Sequence, residues 1–156
     1  EMKLVIAPHV VSDSHLKEIL DKVKRPCIRY TEATEENVTQ ADCLIIDCYG
    51  LLSSIYRYGE ISYIGGGFGV GIHNVLEAAV YGIPVIFGPN NKKFREAQHL
   101  LEQKGGFEVT GYDDFKRLMD KFLSDKACLQ QAGKAAGDYV NHNAGALEKI
   151  MKDITL

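Results

Sequence analysis

Short apolar runs rich in β-branched residues recur along the chain, separated by longer segments whose apolar residues fall at helical spacing. This alternation constrains the fold more than any other feature. Strands that are apolar almost without interruption are buried on both faces, and strands separated by helices pair in parallel. Leu4–Ala7 reads as the first strand. Ser12 then caps a helix whose apolar positions Leu16, Ile19, Leu20 and Val23 keep the 3.6 period, and Pro26 stops it. Cys27–Tyr30 reads as a second strand and, after the polar stretch Thr31–Gln40, Cys43–Asp47 as a third. A short helix over Leu52–Tyr58 precedes a fourth strand, Ile61–Ile64. The glycine-dense segment Gly65–Gly71 follows, then a helix over Asn74–Tyr81 ended by Gly82. A fifth strand at Pro84–Phe87 leads to a helix over Phe94–Lys104 and a weak strand at Phe107–Thr110. From there the pattern is helical only, at Asp113–Leu123, Ala127–Tyr139 and Ala144–Met151. The order predicts an α/β fold, a Rossmann-like parallel sheet sandwiched by helices.

The chain has 156 residues, 46% apolar and 25% charged, which suffices for one well-buried core and points to a single domain over residues 1–156. Lysine and arginine number 18 against 21 acidic residues, a net charge of −3, so no basic excess supports counterion-release binding to nucleic acid. No apolar stretch approaches the roughly 20 residues that span a bilayer. Glu1 to Pro8 lacks the basic leader and long apolar region of a signal peptide. Cys27, Cys43, Cys48 and Cys128 form no CxxC pair and no zinc spacing; three lie in or beside apolar runs, as reduced, buried thiols of a soluble, cytoplasmic domain do. The chain opens on Glu1 directly before a strand and is expected to be a piece of a longer protein.

In a parallel sheet, ligands bind outside the carboxyl ends of the strands. Three such ends carry chemically interesting residues: Pro8-His9, Asp47-Cys48-Tyr49-Gly50, and Gly65 through Glu77. The last is the richest. Five glycines in the seven residues Gly65–Gly71 let backbone approach a ligand closely, and the helix after them offers free N–H groups to a phosphate. The helix dipole contributes about 0.3–2 kcal/mol to such binding. A loop that merely needs tight turns has the same composition. The loop is not a dinucleotide fingerprint, because Val70 and Asn74 stand where a third glycine is required. It is not a P-loop either, because Ile72 and His73 replace Lys and Ser/Thr.

His73, Asn74 and Glu77 follow at helical spacing, which would place all three on one face of the first turn. A carboxylate there suits the hydroxyls of a ribose, one turn beyond a phosphate. Equally, Glu77 compensates the helix dipole and Asn74 is a simple cap. Spacing alone leaves both open.

The segment Gly65-Gly66-Gly67-Phe68-Gly69-Val70-Gly71-Ile72-His73-Asn74-Val75-Leu76-Glu77, followed by Gly82-Ile83-Pro84-Val85-Ile86-Phe87-Gly88-Pro89, closely resembles the Kdo transferase family. These enzymes move 3-deoxy-D-manno-oct-2-ulosonic acid (Kdo) from CMP-Kdo onto a lipid A precursor in lipopolysaccharide biosynthesis. The resemblance runs through essentially the whole chain, sharply over residues 61–96 and moderately over 43–52. It implies the carboxyl-terminal, donor-binding half of a GT-B glycosyltransferase. It also implies that three patches hold CMP. The first is Gly71 with the step His73, Asn74 and Glu77, Val75 and Leu76 lying between. The second is the segment Asp47–Leu52, where Gly50 keeps the family's residue while Tyr49 and Leu51 replace Met and Glu. The third is Pro8-His9, where the family has Pro-Arg.

By the same resemblance the reaction is an inverting displacement at the Kdo anomeric carbon with CMP leaving. No metal or other cofactor is expected on this chain. No catalytic residue is expected here either, since the general base, a glutamate, and the acceptor site belong to the missing amino-terminal domain. The full-length protein is expected at the cytoplasmic face of the inner membrane. Lys92, Lys93 and Arg95 offer positive charge to an anionic sugar nucleotide or are simply solvated. His15 and His99 read as surface residues, and Tyr56 and Tyr58 as packing residues or cleft lining. The five histidines show no metal-ligand spacing. Two rival readings remain: a GT-B donor domain using a UDP-sugar, and a non-catalytic nucleotide-binding module.

Overall fold

A computed structural model describes residues 2–145. The chain divides into two compact units, Glu1–Ile55 and Tyr56–Leu156, each built on three parallel strands.

The first unit contains β1 (Leu4–Ile6), α1 (Asp13–Lys22), β2 (Cys27–Arg29), β3 (Cys43–Ile45) and α2 (Leu52–Ile55). Single 3-10 turns at Tyr30–Glu32 and Val38–Gln40 bridge β2 to β3. The strands pair in the order β1-β3-β2, with Leu4 and Cys27 both opposite Cys43. Helix α1 begins where the sequence says it should: Ser12 Oγ accepts from the His15 N–H at 3.3 Å. Its apolar stripe, Leu16, Ile19, Leu20 and the C-capping Val23, packs on Cys43 and Ile45.

The second unit contains β4 (Ser62–Ile64), α3 (Leu76–Ala79), β5 (Val85–Phe87), α4 (Arg95–Glu102), β6 (Gly106–Glu108), α5 (Tyr112–Ser124) and α6 (Lys126–Asn143). The order β4-β5-β6 puts β5 in the middle, which explains its unbroken apolar run: Val85, Ile86 and Phe87 are all 0% exposed. Because side chains alternate along a strand, Val85 and Phe87 enter one core layer with Ala78, Ala97 and Leu100. Ile86 enters the opposite layer with Phe122, Val109 and Ala132. Helices therefore cover both faces of this sheet.

Three elements differ from expectation. The helix expected over Asn74–Tyr81 is the single turn Leu76–Ala79: the Asn74 side chain accepts from the Leu76 N–H in the turn before it, and bonds of i→i−3 type from Tyr81 to Ala78 and from Gly82 to Ala79 close its other end. The segment Leu52–Tyr58 splits into α2 and a 3-10 turn at Tyr56–Tyr58. Helix α6 continues to Asn143. The helix expected at Ala144–Met151 lies outside the described residues, except for Ala144, which is extended, and Gly145.

Candidate functional site

In the first unit, β1 and β3 are neighbours, and the Ile46 N–H donates to the Ile6 carbonyl at 2.8 Å just beyond the paired residues. Pro8-His9 and Asp47–Leu51 therefore leave the same end of this sheet, its carboxyl end. Pro8 is half-buried and His9 exposed, while the Tyr49 ring is 76% exposed. The Leu51 carbonyl accepts from the Ile55 N–H at 3.0 Å and so starts α2. Asp47 faces inward. Its carboxylate accepts from the Thr31 N–H at 3.0 Å and the Thr31 hydroxyl at 2.6 Å. Burial pushes this carboxyl up, but the Thr31 bonds, a bond from its own backbone N–H and the Arg29 charge together hold it below its ordinary value. Asp47 thus ties the end of β3 to the turn after β2.

In the second unit the glycine loop leaves β4 and folds back on itself. Gly66 has φ +87°, and a Cβ there would stand 2.1 Å from the Gly71 carbonyl oxygen, so only glycine fits. The Gly66 carbonyl accepts from the Gly69 N–H at 2.9 Å and the Gly71 N–H at 3.2 Å, and the Gly65 carbonyl from the His73 N–H at 3.1 Å. These three amides are used inside the loop. A second cause for the glycines is a neighbouring segment: the backbone of Gly67 lies against that of Gly88, where a Cβ would meet the Gly88 nitrogen at 2.6 Å. The Asn90 N–H donates to the Gly67 carbonyl at 2.9 Å, and the Asn90 side-chain amide donates to the Gly69 carbonyl. Phe68 and Val70 point outward, 57% and 108% exposed.

His73 and Asn74 are exposed, Val75 is buried, and Leu76 and Glu77 are half-buried. His73 precedes the helical turn, so the three polar residues do not share a helix face. Asn74 Oδ1 accepts from the Leu76 N–H at 2.9 Å, and its Nδ2 donates to Glu77 Oε1 at 3.1 Å. Asn74 thus forms a turn onto the backbone two residues on, just before the Val75 N-cap, and the same side chain holds the Glu77 carboxylate in place. The Tyr56 hydroxyl lies in the field of that carboxylate: burial raises its pKa first, and the Glu77 charge raises it further. With α3 only one turn long, the dipole contribution expected at its start is correspondingly weak.

The remaining singled-out residues stand apart. His15 lies 3.6 Å from Glu18 on α1, and His99 Nδ1 lies 3.1 Å from the Tyr139 hydroxyl on the flank of α6. Lys92, Lys93 and Arg95 are exposed at the entry to α4. Tyr56 packs on the core and Tyr58 is 80% exposed. Sequence reasoning missed Asn90 and Asn91. The signal available was a Gly-Pro-Asn-Asn run directly after a strand, a composition whose side chains bond nearby backbone.

No protein-family model matches the chain. Among curated proteins, the 3-deoxy-D-manno-octulosonic acid transferase of Aquifex aeolicus is 32% identical over 127 residues, covering 80% of this chain and 35% of that enzyme. The enzyme of the same name from Haemophilus influenzae is 29% identical over 153 residues, covering 95% of this chain and 35% of that enzyme. The chain is a homologue of the Kdo transferases. It spans about a third of the length of these curated relatives, 35% in both cases. Among solved structures, the C-terminal CMP-Kdo binding domain of WaaA from Acinetobacter baumannii superposes with a TM-score of 0.71 at 17% identity, covering 87% of this chain and 72% of that one. The chain thus shares its α/β fold with that domain. Among the described residues no helix is long and apolar enough to cross a membrane.

Proposed function

We propose that residues 1–156 are the CMP-Kdo-binding domain of a Kdo transferase, a glycosyltransferase that moves Kdo from CMP-Kdo to a lipid A precursor. The observation that carries this reading is homology to Kdo transferases along 80–95% of the chain. The likeness of fold to a domain described as binding CMP-Kdo supports it.

In the second unit, Glu77 accepts from the ribose hydroxyls of CMP, oriented by Asn74 at 3.1 Å. Gly71, His73, Val75 and Leu76 line the same approach. In the first unit, Pro8, His9, Tyr49, Gly50 and Leu51 contribute contacts from the carboxyl ends of β1 and β3. The chain's part in the reaction is to bind the nucleotide, orient the sugar and stabilise the departing CMP phosphate electrostatically. The acceptor and the general base lie in the portion of a full-length protein that this chain does not span. Such a protein works at the cytoplasmic face of the inner membrane.

The test is a transfer assay with CMP-Kdo and a lipid A precursor. A full-length protein containing this sequence is expected to release CMP only when both substrates are present, and the 156-residue chain to bind CMP without turnover. Kdo transfer by the isolated chain would refute the division of labour. Transfer by the full-length protein from a UDP-sugar, and not from CMP-Kdo, would refute the donor assignment.

A further inference from the structure

The segment between β5 and α4, Gly88–Phe94, touches the glycine loop at alternate residues. Gly88 and Asn90 meet Gly67, Asn90 meets Gly69, and the Phe94 ring lies where a Cβ on Gly71 would come within 3.0 Å of it. The loop therefore takes its shape from this segment. The segment in turn hangs on one side chain. Asn91 is 0% exposed. Its Nδ2 donates to the Gly88 carbonyl at 2.9 Å and to Glu108 Oε2 at 2.7 Å, and its Oδ1 accepts from Gln98 Nε2 at 2.6 Å. The Asn91 carbonyl accepts from the Phe94 N–H at 2.9 Å and from Gln98 Nε2 at 3.3 Å.

One buried amide thus joins the end of β5, the end of β6 and helix α4. A buried polar network with every member partnered rigidifies what it joins, and it is costly to disturb because a stripped partner stays desolvated. A side chain needed only to fill this volume would be apolar. The donor and acceptor pattern here suits an asparagine; an aspartate of the same shape loses both donated bonds and sets acceptor against acceptor.

We infer that Asn91 is a positioning residue for nucleotide binding. It fixes Gly88–Phe94, that segment fixes the Gly65–Gly71 loop, and the loop places His73 through the Gly65 carbonyl and with it the step to Glu77. Asn91 itself does not touch the ligand. The effect on affinity rests on the reading of Gly71–Glu77 as a CMP site; the effect on the loop does not.

The experiment compares the full chain with Asn91→Asp, Glu108→Ala and the double variant Asn91→Asp/Glu108→Gln, at a temperature where each is fully folded. Two readouts are taken: CMP affinity by calorimetry, and hydrogen exchange of the Asn90, Gly69 and Gly71 amides, with Leu129 in α6 as an internal reference. Asn91→Asp sets a carboxylate against Glu108 and the Gly88 carbonyl. It is expected to weaken CMP binding about ten-fold or more and to speed the three loop amides about ten-fold or more, with Leu129 unchanged. In the double variant the amide introduced at position 108 donates to the carboxylate introduced at position 91, while the Gly88 carbonyl still faces a carboxylate oxygen, so both readouts are expected to recover in part, by about three-fold relative to Asn91→Asp alone. Glu108→Ala removes a partner that is itself exposed, so it keeps the test open if the aspartate variant does not fold; a smaller, parallel effect of about three-fold is expected.

Loop amides that exchange at the native rate in Asn91→Asp would overturn the inference. Faster loop exchange with native CMP affinity would overturn it as well, reducing Asn91 to a stabilising residue. If the native chain binds no CMP, the binding-site reading fails and takes the affinity claim with it, while the exchange data still decide whether Asn91 sets the loop.

Discussion

Glu77→Gln separates the two roles that sequence spacing leaves open for this residue. The substitution removes one negative charge and keeps the side-chain length and a carbonyl oxygen. The Asn74 Nδ2 bond to position 77, 3.1 Å in the native chain, can therefore persist, and the bond that Asn74 Oδ1 accepts from the Leu76 N–H is untouched. Little folding stability is at stake, since exposed hydrogen bonds of this kind contribute about 0.5–1.5 kcal/mol and this one is conserved in type. Binding is different. Hydrogen bonds to a charged group contribute about 1.5–3 kcal/mol, or about 10–150-fold in Kd. Glu77 is half-buried rather than enclosed, which places the expectation near the lower end, about 10–30-fold weaker CMP binding. Calorimetric titration of CMP into both proteins, with thermal melts alongside, makes the measurement. Tyr56 supplies a local control. Its pKa is raised by burial and further by the Glu77 charge, so Glu77→Gln should lower its titration midpoint while leaving it above the ordinary tyrosine value. Unchanged CMP affinity together with a large loss of thermal stability would refute the argument and leave Glu77 a purely structural residue.

Three further outcomes follow from the same geometry. Gly67→Ala forces a Cβ to within 2.6 Å of the Gly88 backbone nitrogen, so chemical denaturation should show a loss of about 1–3 kcal/mol; native stability would mean the two loops do not meet. Burial, with the hydrogen bond of the Cys43 thiol to Cys27 and the charge of that neighbour, pushes the Cys43 thiol up to about 12, so alkylation at pH 8 should spare Cys43 until the chain is unfolded. Labelling of Cys43 as fast as Cys48 would contradict this. Thr31→Val removes one of the bonds that hold the Asp47 carboxyl below its ordinary value, and a depressed carboxylate contributes stability above that value and loses it as pH falls through the folded pKa. The stability difference between Thr31→Val and the native chain should therefore be present at pH 7 and shrink below about pH 4; a difference independent of pH would refute the Thr31–Asp47 account.

The strands and long helices were legible because each carries its own local reason. Ser12 caps α1, Pro26 ends the segment after it, and the run Pro84–Phe87 is apolar throughout because β5 is covered on both faces. Helix α3 is shorter than its sequence period suggests. The periodicity of Asn74–Tyr81 is real, but only Leu76–Ala79 is α-helical: Asn74 bonds the Leu76 N–H in the preceding turn, and i→i−3 bonds take over at Tyr81 and Gly82. The glycine loop was read for its freedom and not for its neighbours. That Gly67 must admit Gly88, and that Gly66 must admit the Gly71 carbonyl, are contacts no local pattern encodes. Asn91 was invisible for the same reason. An asparagine after Gly-Pro reads as a turn former, and its burial exists only once Gln98 and Glu108 are brought to it by α4 and β6. The site reading came from the resemblance of Gly65–Glu77 to a family motif, since spacing alone left cap and ribose contact equally open.

The central claim, that this chain binds the cytidine nucleotide of CMP-Kdo, is tested most directly by titrating CMP and UMP into the purified chain under identical conditions. The two ligands share phosphate and ribose and differ at one edge of the base, so their ratio reports nucleotide identity and not general anion binding. The account predicts saturable CMP binding at least about ten-fold tighter than UMP binding. Equal affinities, tighter UMP binding, or no binding of either nucleotide would contradict it.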